Sequence, residues 1–220
     1  MQRIITTGRG YKTMTSITSI SGGKTSSYMA LKYPTDKYVF ALVKTLDKAS
    51  ISTDKGLIKA VQEKIPDFVA SREVDETLIN VLDLEQKLGT EIKWVSAKET
   101  FDELIQRKKM IPNQRTRFCT TELKLKPIFE YCYFNFGLCV MNIGFRWDER
   151  YRAKKMLSDC HKAYYFKHKG KNIEWRIPNF PLIEKEISHE KIKKFWDQNG
   201  GYSLLLAIVI SAFFTGYQSR

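Results

Sequence analysis

The chain has 220 residues, of which 43% are hydrophobic, and it carries a formal net charge of +13. This size and composition fit one globular domain with at most a small appendage, and they exclude a wholly disordered chain. Positive charge is concentrated in residues 104–129 (seven bases, one acid) and 144–176 (ten bases, four acids). Such segments favour an anionic ligand, namely nucleotide phosphates, nucleic acid or an acidic membrane surface. Solvated Lys-rich faces are the alternative.

Residues 1–13 carry Arg and Lys but no apolar core of a signal peptide. Because Met14 opens a stretch typical of a natural start, we expect residues 1–13 to be an N-terminal extension. The four cysteines, Cys119, Cys132, Cys139 and Cys160, contain no C-x-x-C pair and no zinc-like spacing. Free thiols in a reducing cytoplasm are the simplest interpretation, so the sequence predicts a cytoplasmic protein with no resident metal.

Strand and helix patterns alternate over residues 14–150. Strands are expected at residues 15–20, 38–43, 91–95 and 138–143, of which 38–43 (YVFALV) is typical of a strand buried on both faces. Helices are expected from residue 24 to before Pro34, and at 54–64, 74–88, 99–110 and 120–134, the last with Pro127 as an irregularity. The alternation predicts an α/β fold with a mainly parallel, doubly wound, Rossmann-like sheet.

A different pattern follows residue 150, so we divide the chain into a domain of residues 14–150 and an appendage of residues 151–220. Residues 164–167 and 172–177 flank His168-Lys169-Gly170-Lys171 and are predicted to form a β-hairpin. A helix is expected from Ser188 to about Gln198. Residues 204–214 are uncharged but too short to cross a membrane, so a buried helix or strand is expected and no membrane partner.

The segment Ser21-Gly22-Gly23-Lys24-Thr25-Ser26 lies between the first strand and its helix. Glycines let backbone N–H groups approach an anion, and the helix dipole favours negative charge there. Lys24 adds a cation, and the hydroxyl groups add donors, so the segment predicts a phosphate site. A Walker A loop would need a further Gly where Thr18 stands, which leaves a P-loop NTPase as a weaker alternative.

Three segments in order carry a resemblance to a known superfamily. SISGGKTSSYMA (19–30) resembles the PP-loop of N-type ATP pyrophosphatases and of 3′-phosphoadenosine 5′-phosphosulfate (PAPS) reductases. RTRFCTTELK (115–124), with Pro127 behind it, and GFRWDERYR (144–152) resemble two further blocks of that superfamily. The resemblance implies an adenine nucleotide alpha hydrolase-like fold that binds ATP or a related adenine nucleotide, with magnesium as an optional cofactor.

The resemblance and the charge pattern together assign roles to residues. Lys24 and Arg146 are the expected catalytic cations. The expected nucleotide-binding residues are Ser19, Ser21, Gly22, Gly23, Lys24, Thr25 and Ser26. The expected substrate-binding residues are Arg115, Arg117, Lys124, Arg146, Glu149 and Arg150. Because ligands of open α/β sheets bind beyond the carboxyl ends of the strands, Arg146 and Glu149 are expected beside the loop 21–26.

The sequence departs from the family pattern at two places. Thr25 stands where the family's loop has Asp, so it offers no carboxylate to a metal. The chain has no Cys after Cys160, where sulfonucleotide reductases carry the thiol that attacks sulfur, and too few family cysteines for an iron–sulfur cluster.

Three functions therefore stay open. The first is an enzyme that transfers an adenylyl group from ATP and releases pyrophosphate. The second is a module that holds a nucleotide without turnover. The third is a nucleic-acid-binding protein that uses the basic segments and the aromatic residues of the hairpin. The oligomeric state is left undecided.

Overall fold

The computed structural model describes residues 4–7, 10–113 and 116–199, and for residues 4–13 only the backbone. Its strands are β1 (Ile4–Thr7), β2 (Gly10–Thr13), β3 (Ser16–Ile20), β4 (Lys37–Leu42), β5 (Lys44–Thr45), β6 (Ala70–Ser71), β7 (Ile92–Ser96), β8 (Cys139–Asn142), β9 (Tyr165–His168), β10 (Lys171–Glu174) and β11 (Arg176–Asn179). Its helices are α1 (Lys24–Lys32), α2 (Lys55–Lys64), α3 (Asp75–Leu88), α4 (Phe101–Lys108), α5 (Phe118–Thr120), α6 (Lys126–Phe136), α7 (Arg150–Leu157), α8 (Cys160–Tyr164), α9 (Pro181–Glu184) and α10 (His189–Gln198).

The centre of the molecule is a five-stranded sheet in the order β11-β8-β3-β4-β7, and every neighbouring pair in it is parallel. Strand β3 is central, with β4 and β7 on one side and β8 and β11 on the other. This is the 3-2-1-4-5 order of doubly wound folds when the five strands are counted along the chain. The predicted α/β fold class is confirmed.

Helices cover both faces of the sheet, and strand β4 shows why. Its residues Tyr38 and Phe40 pack with Leu78 and Val81 of α3, whereas Val39 packs with Phe129 of α6. All of these residues are at least 95% buried. The continuous apolar run in the sequence therefore reflects burial on both faces, as expected for a strand of a parallel sheet.

Helix ends follow local chemistry. Asp54 caps α2 by accepting hydrogen bonds from the N–H groups of Gly56 and Leu57, and Gly89 ends α3 in the left-handed conformation with φ of 59°. The irregularity expected at Pro127 is a wider π-helical turn, Thr121–Leu125, that joins α5 to α6. A proline ring clashes with the carbonyl four residues earlier, and a wider turn relieves that clash.

The segment after residue 150 differs in one respect from the prediction. The hairpin ends at Glu174, and the following residues, expected to continue it, form β11 and pair in parallel with β8. Pro178 lacks an N–H donor, and β11 accommodates it because it is an edge strand of the sheet. Helix α10 begins after the Ser188 cap as predicted.

The predicted apolar segment 204–214 and the site residue Arg115 lie outside the described residues. Over the part of the chain that the structure describes, no helix is long and apolar enough to cross a membrane.

Candidate functional site

The candidate site lies where the order of the sheet reverses. The chain leaves β3 towards β4 on one side, and β8 occupies the other side of β3. The carboxyl ends of β3 and β8 are therefore adjacent, and the loops that follow them, residues 21–23 and 143–149, meet there. Open α/β sheets bind ligands at this kind of switch point.

The loop after β3 needs glycine at its second position. Gly22 has φ of 73°, which costs other residues free energy. A Cβ atom at Gly22 would also overlap the Thr77 side chain and lie 3.2 Å from Cγ2 of Val81. The loop therefore rests directly against α3. Gly23 is the N-cap residue of α1 and has no side chain to cover the helix end, so the first turn of α1 is open to a ligand.

Ser26 fixes the shape of this loop from inside. Its hydroxyl accepts a hydrogen bond from the Ser21 N–H at 3.1 Å and donates to the Gly23 carbonyl at 3.0 Å. Ser26 is 4% exposed. The hydroxyl predicted to face the nucleotide is therefore used to hold the loop, whereas Ser21, Lys24 and Thr25 are accessible.

The loop after β8 lies over the first turn of α1. A Cβ atom on Gly144 would be 3.7 Å from Cα of Ser26 and 3.7 Å from Cγ2 of Thr25, so the backbones approach closely. Two residues later, Nη1 of Arg146 donates to Oγ1 of Thr25 at 3.4 Å. The predicted juxtaposition of Arg146 with the loop 21–26 is present in the structure.

Two carboxylates hold the Arg146 guanidinium. Its Nε and Nη2 each lie 3.1 Å from Oδ2 of Asp148, and Nη1 lies 3.3 Å from Oε2 of Glu149. Glu149 also accepts from Arg152 at 2.6 Å. Two cations and two anions therefore balance in this cluster, so Arg146 brings a directed donor to the site more than it brings net charge.

Asp148 and Trp196 tie helix α10 to both loops of the site. Oδ1 of Asp148 accepts from the His189 N–H at 3.0 Å. Burial opposes ionisation of Asp148, but the hydrogen bonds from Arg146 and His189 outweigh it and keep its pKa below the ordinary value. Nε1 of Trp196 donates to the Lys24 carbonyl at 3.2 Å. These contacts fix the two loops relative to one another.

The other predicted substrate-binding residues are spread more widely. Lys124 pairs with Glu73 at 2.6 Å, beside a cavity of about 510 Å³ between residues 49–53 and 71–76. Arg117 is exposed and makes no ion pair with any described residue. Arg150 is exposed, with its guanidinium carbon 4.9 Å from the centre of the Trp147 ring. The contacts that the structure shows for Lys124 and Arg150 are with Glu73 and Trp147, not with the loop 21–26.

Ser19 differs from the rest of its group. It is half-buried on β3 and follows Ile17 by two residues, so both side chains leave the same face of the sheet, the one covered by α6. Helix α1 covers the opposite face, where Thr18 bonds Thr35. The Ser19 side chain therefore lies on the α6 face of the sheet, one residue before the end of β3.

A larger cavity, of about 740 Å³, lies away from the loop 21–26. It is lined by the end of α1 (Lys32 and Tyr33), by Ser16, and by the bonded pair Asn142 and Asn179. No glycine lines it, and its two exposed cations, Lys32 and Lys185, are accompanied by the carboxylates of Asp36 and Glu184. Volume alone favours this cavity, but the chemistry favours the loop.

The sequence did not indicate four of the residues that build the site. Thr77 and Gly144 lie in close contact with α1 or the loop before it. Asp148 and Trp196 form hydrogen bonds that join the site to α10. Gly144 at the start of the block 144–152 and Asp148, two residues after Arg146, were visible in the sequence, but both residue types occur often in ordinary turns.

The cysteines lie apart from this site. Cys132 of α6 and Cys139 of β8 are buried, and the hydrogen bond with Cys139 together with burial raises the pKa of the Cys132 thiol. Cys119 is half-buried and Cys160 is exposed. Within the described residues, no group of three or more His, Cys, Asp or Glu side chains could hold a metal ion.

Comparison with known proteins leaves the family open. Neither the protein-family models nor the curated proteins searched contain a match to the chain.

Proposed function

We propose that this chain binds the phosphate groups of an adenine nucleotide, ATP or a related compound, at the first turn of α1. The observation that carries the proposal is the meeting of two loops at the switch point of the sheet. Gly22 and Gly23 open the backbone on one side, and Arg146 reaches Thr25 from the other at 3.4 Å. The resemblance of residues 19–30, 115–124 and 144–152 to the PP-loop superfamily supports adenine as the base.

Electrostatics supports an anion at this position. The N-terminus of a nine-residue helix carries partial positive charge, and Lys24 adds a full charge at an exposed position. Gly23 contributes no side-chain acceptor to cap the helix. A bound phosphate would take the place of that acceptor, with the Thr25 hydroxyl and Arg146 as further donors.

If the chain is an enzyme, adenylyl transfer fits these groups best. An acceptor oxygen or nitrogen would attack the α-phosphorus, the new bond would form as the α–β bridging P–O bond breaks, and pyrophosphate would leave with the electron pair. Lys24 and the first-turn N–H groups would stabilise charge on the leaving pyrophosphate. Arg146 would hold the phosphate that receives the attack.

Binding without turnover is the second candidate, and the Arg146 cluster favours it. Thr25 supplies no carboxylate at the loop position where the superfamily has Asp, and the nearest carboxylates, those of Asp148 and Glu149, are already paired with Arg146. In this reading magnesium would not change affinity. In the enzymatic reading it would strengthen binding and allow pyrophosphate release.

A thermal-shift panel tests the proposal. ATP, AMP, adenosine 5′-phosphosulfate and PAPS are each added with and without magnesium. A ligand at a hundred times its dissociation constant stabilises the folded state by about 2.7 kcal/mol, which corresponds to a shift of a few degrees. Lys24→Ala should remove most of that shift, and Lys55→Ala, an exposed lysine of α2, should not. Pyrophosphate release in the same samples separates the two candidates.

A further inference from the structure

A strongly basic surface extends from the candidate site along the chain. Residues 150–171 hold eight Lys or Arg and one acid, Asp159. Asp159 is paired with Lys162 at 2.7 Å, and Arg152 is paired with Glu149. The basic surface is defined by the six cations that remain, all of them exposed: Arg150, Lys154, Lys155, Lys167, Lys169 and Lys171.

None of these six cations forms an ion pair with another residue that the structure describes. Among the exposed bases that the structure describes elsewhere, three form ion pairs: Arg72 with Asp47, Arg107 with Glu99 and Lys108 with Glu122. The basic surface therefore differs from the rest of the molecule in its scarcity of acids more than in its lack of ion pairs. A run of unpaired cations repels itself and destabilises the compact state unless a polyanion neutralises it. The six positions follow one another through α7, α8 and the hairpin, elements that contact in turn.

One side of the hairpin packs against the core, and its other side is exposed to solvent. Phe166 stacks on Phe129 of α6 at 4.6 Å between ring centres, and Trp175 is 1% exposed, so these two rings belong to the core and cannot stack on bases. Side chains alternate along a strand, so Tyr165 and Lys167 lie on the opposite side of the hairpin and are exposed. Glu174, opposite Tyr165, is an acid on that side, whereas Lys171, opposite His168 beside the turn, lies on the side of Phe166.

Exposed aromatic rings are interleaved with these cations. Tyr151 of α7 is 66% exposed and Tyr165 is 37% exposed. Phe134 is 64% exposed and contacts His168 of the hairpin at 5.9 Å between ring centres. Aromatic rings set between cations are the combination that binds single-stranded nucleic acid, because the rings stack on bases and the cations neutralise phosphates.

We propose that the basic surface binds single-stranded nucleic acid, with Tyr151 and Tyr165 stacking on bases. A membrane would fit less well, because the surface offers separate aromatic rings and no continuous apolar helix face. The surface begins at Arg150, directly after the loop that carries Arg146, so a bound strand would lead to the nucleotide site. The proposal does not depend on the nucleotide, since it rests on different residues.

The test measures binding of a fluorescent single-stranded DNA of about 20 nucleotides between about 50 and 200 mM salt. A variant with Lys154, Lys155, Lys167 and Lys169 all changed to Gln is compared with a control in which Lys55, Lys59, Lys93 and Lys98, exposed on other elements, are changed to Gln. Each phosphate contact on a single strand contributes about 0.7 to the slope of log affinity against log salt. The basic-surface variant should therefore lower that slope by up to about 3, whereas the control should leave it unchanged.

A second arm tests stacking and separates this proposal from the nucleotide site. Tyr151→Ala should weaken binding of the strand about tenfold or more at constant slope. Lys24→Ala should bind the strand like the wild type, and the basic-surface variant should keep its thermal shift with ATP. Three results would each overturn the proposal. They are an equal loss of affinity for the strand in both quadruple variants, no binding at the lowest salt, and tighter binding of duplex than of single strand.

Discussion

Asp83 should make the stability of this protein depend on pH in a way that one substitution removes. The residue is 2% exposed on α3, and its Oδ2 has no hydrogen-bond partner among the described residues. Burial raises its pKa from 3.8 to about 6, although Lys87 in the same helix opposes the shift. At neutral pH the folded protein therefore holds a buried carboxylate that the unfolded chain would hold in water.

The sign and size of the effect follow from linkage. Because the folded state binds a proton more tightly than the unfolded state, stability is highest below about pH 4 for this group and is lost as pH rises through about 6. A difference of about two pH units, at about 1.4 kcal/mol each, gives a cost of about 3 kcal/mol above pH 7. Asp83→Asn removes the charge, so it should stabilise by up to about that amount at pH 8.

Urea unfolding at pH 5 and pH 8 measures the effect in wild type, in Asp83→Asn and in Glu63→Gln, a change at an exposed carboxylate of α2. The amide adds donors that also need partners, so the diagnostic quantity is the difference between the two pH values. The gain from Asp83→Asn should be about 1.4 kcal/mol larger at pH 8 than at pH 5, because part of the cost is already present at pH 5. An equal change in unfolding free energy at both pH values would show that the reasoning about burial is wrong.

Two further predictions concern the site. Arg146→Ala should weaken ATP binding by about 1.5–3 kcal/mol, the usual contribution of a hydrogen bond to a charged group, and it would leave the Asp148 carboxylate to repel phosphate. Calorimetric titration measures this loss of affinity. A loss no larger than that of Arg117→Ala would contradict the placement of Arg146 at the site. Gly22→Ala should lower the unfolding free energy by about 2–4 kcal/mol through backbone strain and overlap with Thr77, and Thr77→Ser in the same chain should restore part of it in urea unfolding. Full stability of Gly22→Ala alone would mean that the loop does not rest on α3 as described.

The sequence predicts the central sheet well because its strands carry strong local signals. The run 38–43 is apolar throughout. Asp54 and Ser188 mark the start of a helix because their side chains can cap it, and Gly89 marks a helix end because it has no side chain. Strand β11 gives a weaker signal, since it is short, polar and contains Pro178. Its membership of the sheet is set by pairing with β8, 37 residues away.

The candidate site also has features that the sequence predicts and features that only tertiary structure determines. The loop 21–26 and Arg146 are found from local pattern and resemblance, but the contacts that join Arg146 and its neighbour Asp148 to the rest of the site are not local. Its bond to Thr25 spans 121 residues, and the Asp148 bond to His189 spans 41. The burial of Asp83 could not be predicted from the sequence either, because an acidic residue on an amphipathic helix is expected to face solvent. Tertiary packing decides these features, and only the folded chain shows them.

Calorimetric titration of ATP into wild type, Lys24→Ala and Lys55→Ala measures the central claim most directly. We expect saturable binding to the wild type and to Lys55→Ala with the same dissociation constant. Binding to Lys24→Ala should be at least about tenfold weaker, the loss expected for one charge-assisted phosphate contact. Absence of binding to ATP, AMP and PAPS at millimolar concentration, or equal affinity in all three proteins, would contradict a nucleotide site at the first turn of α1.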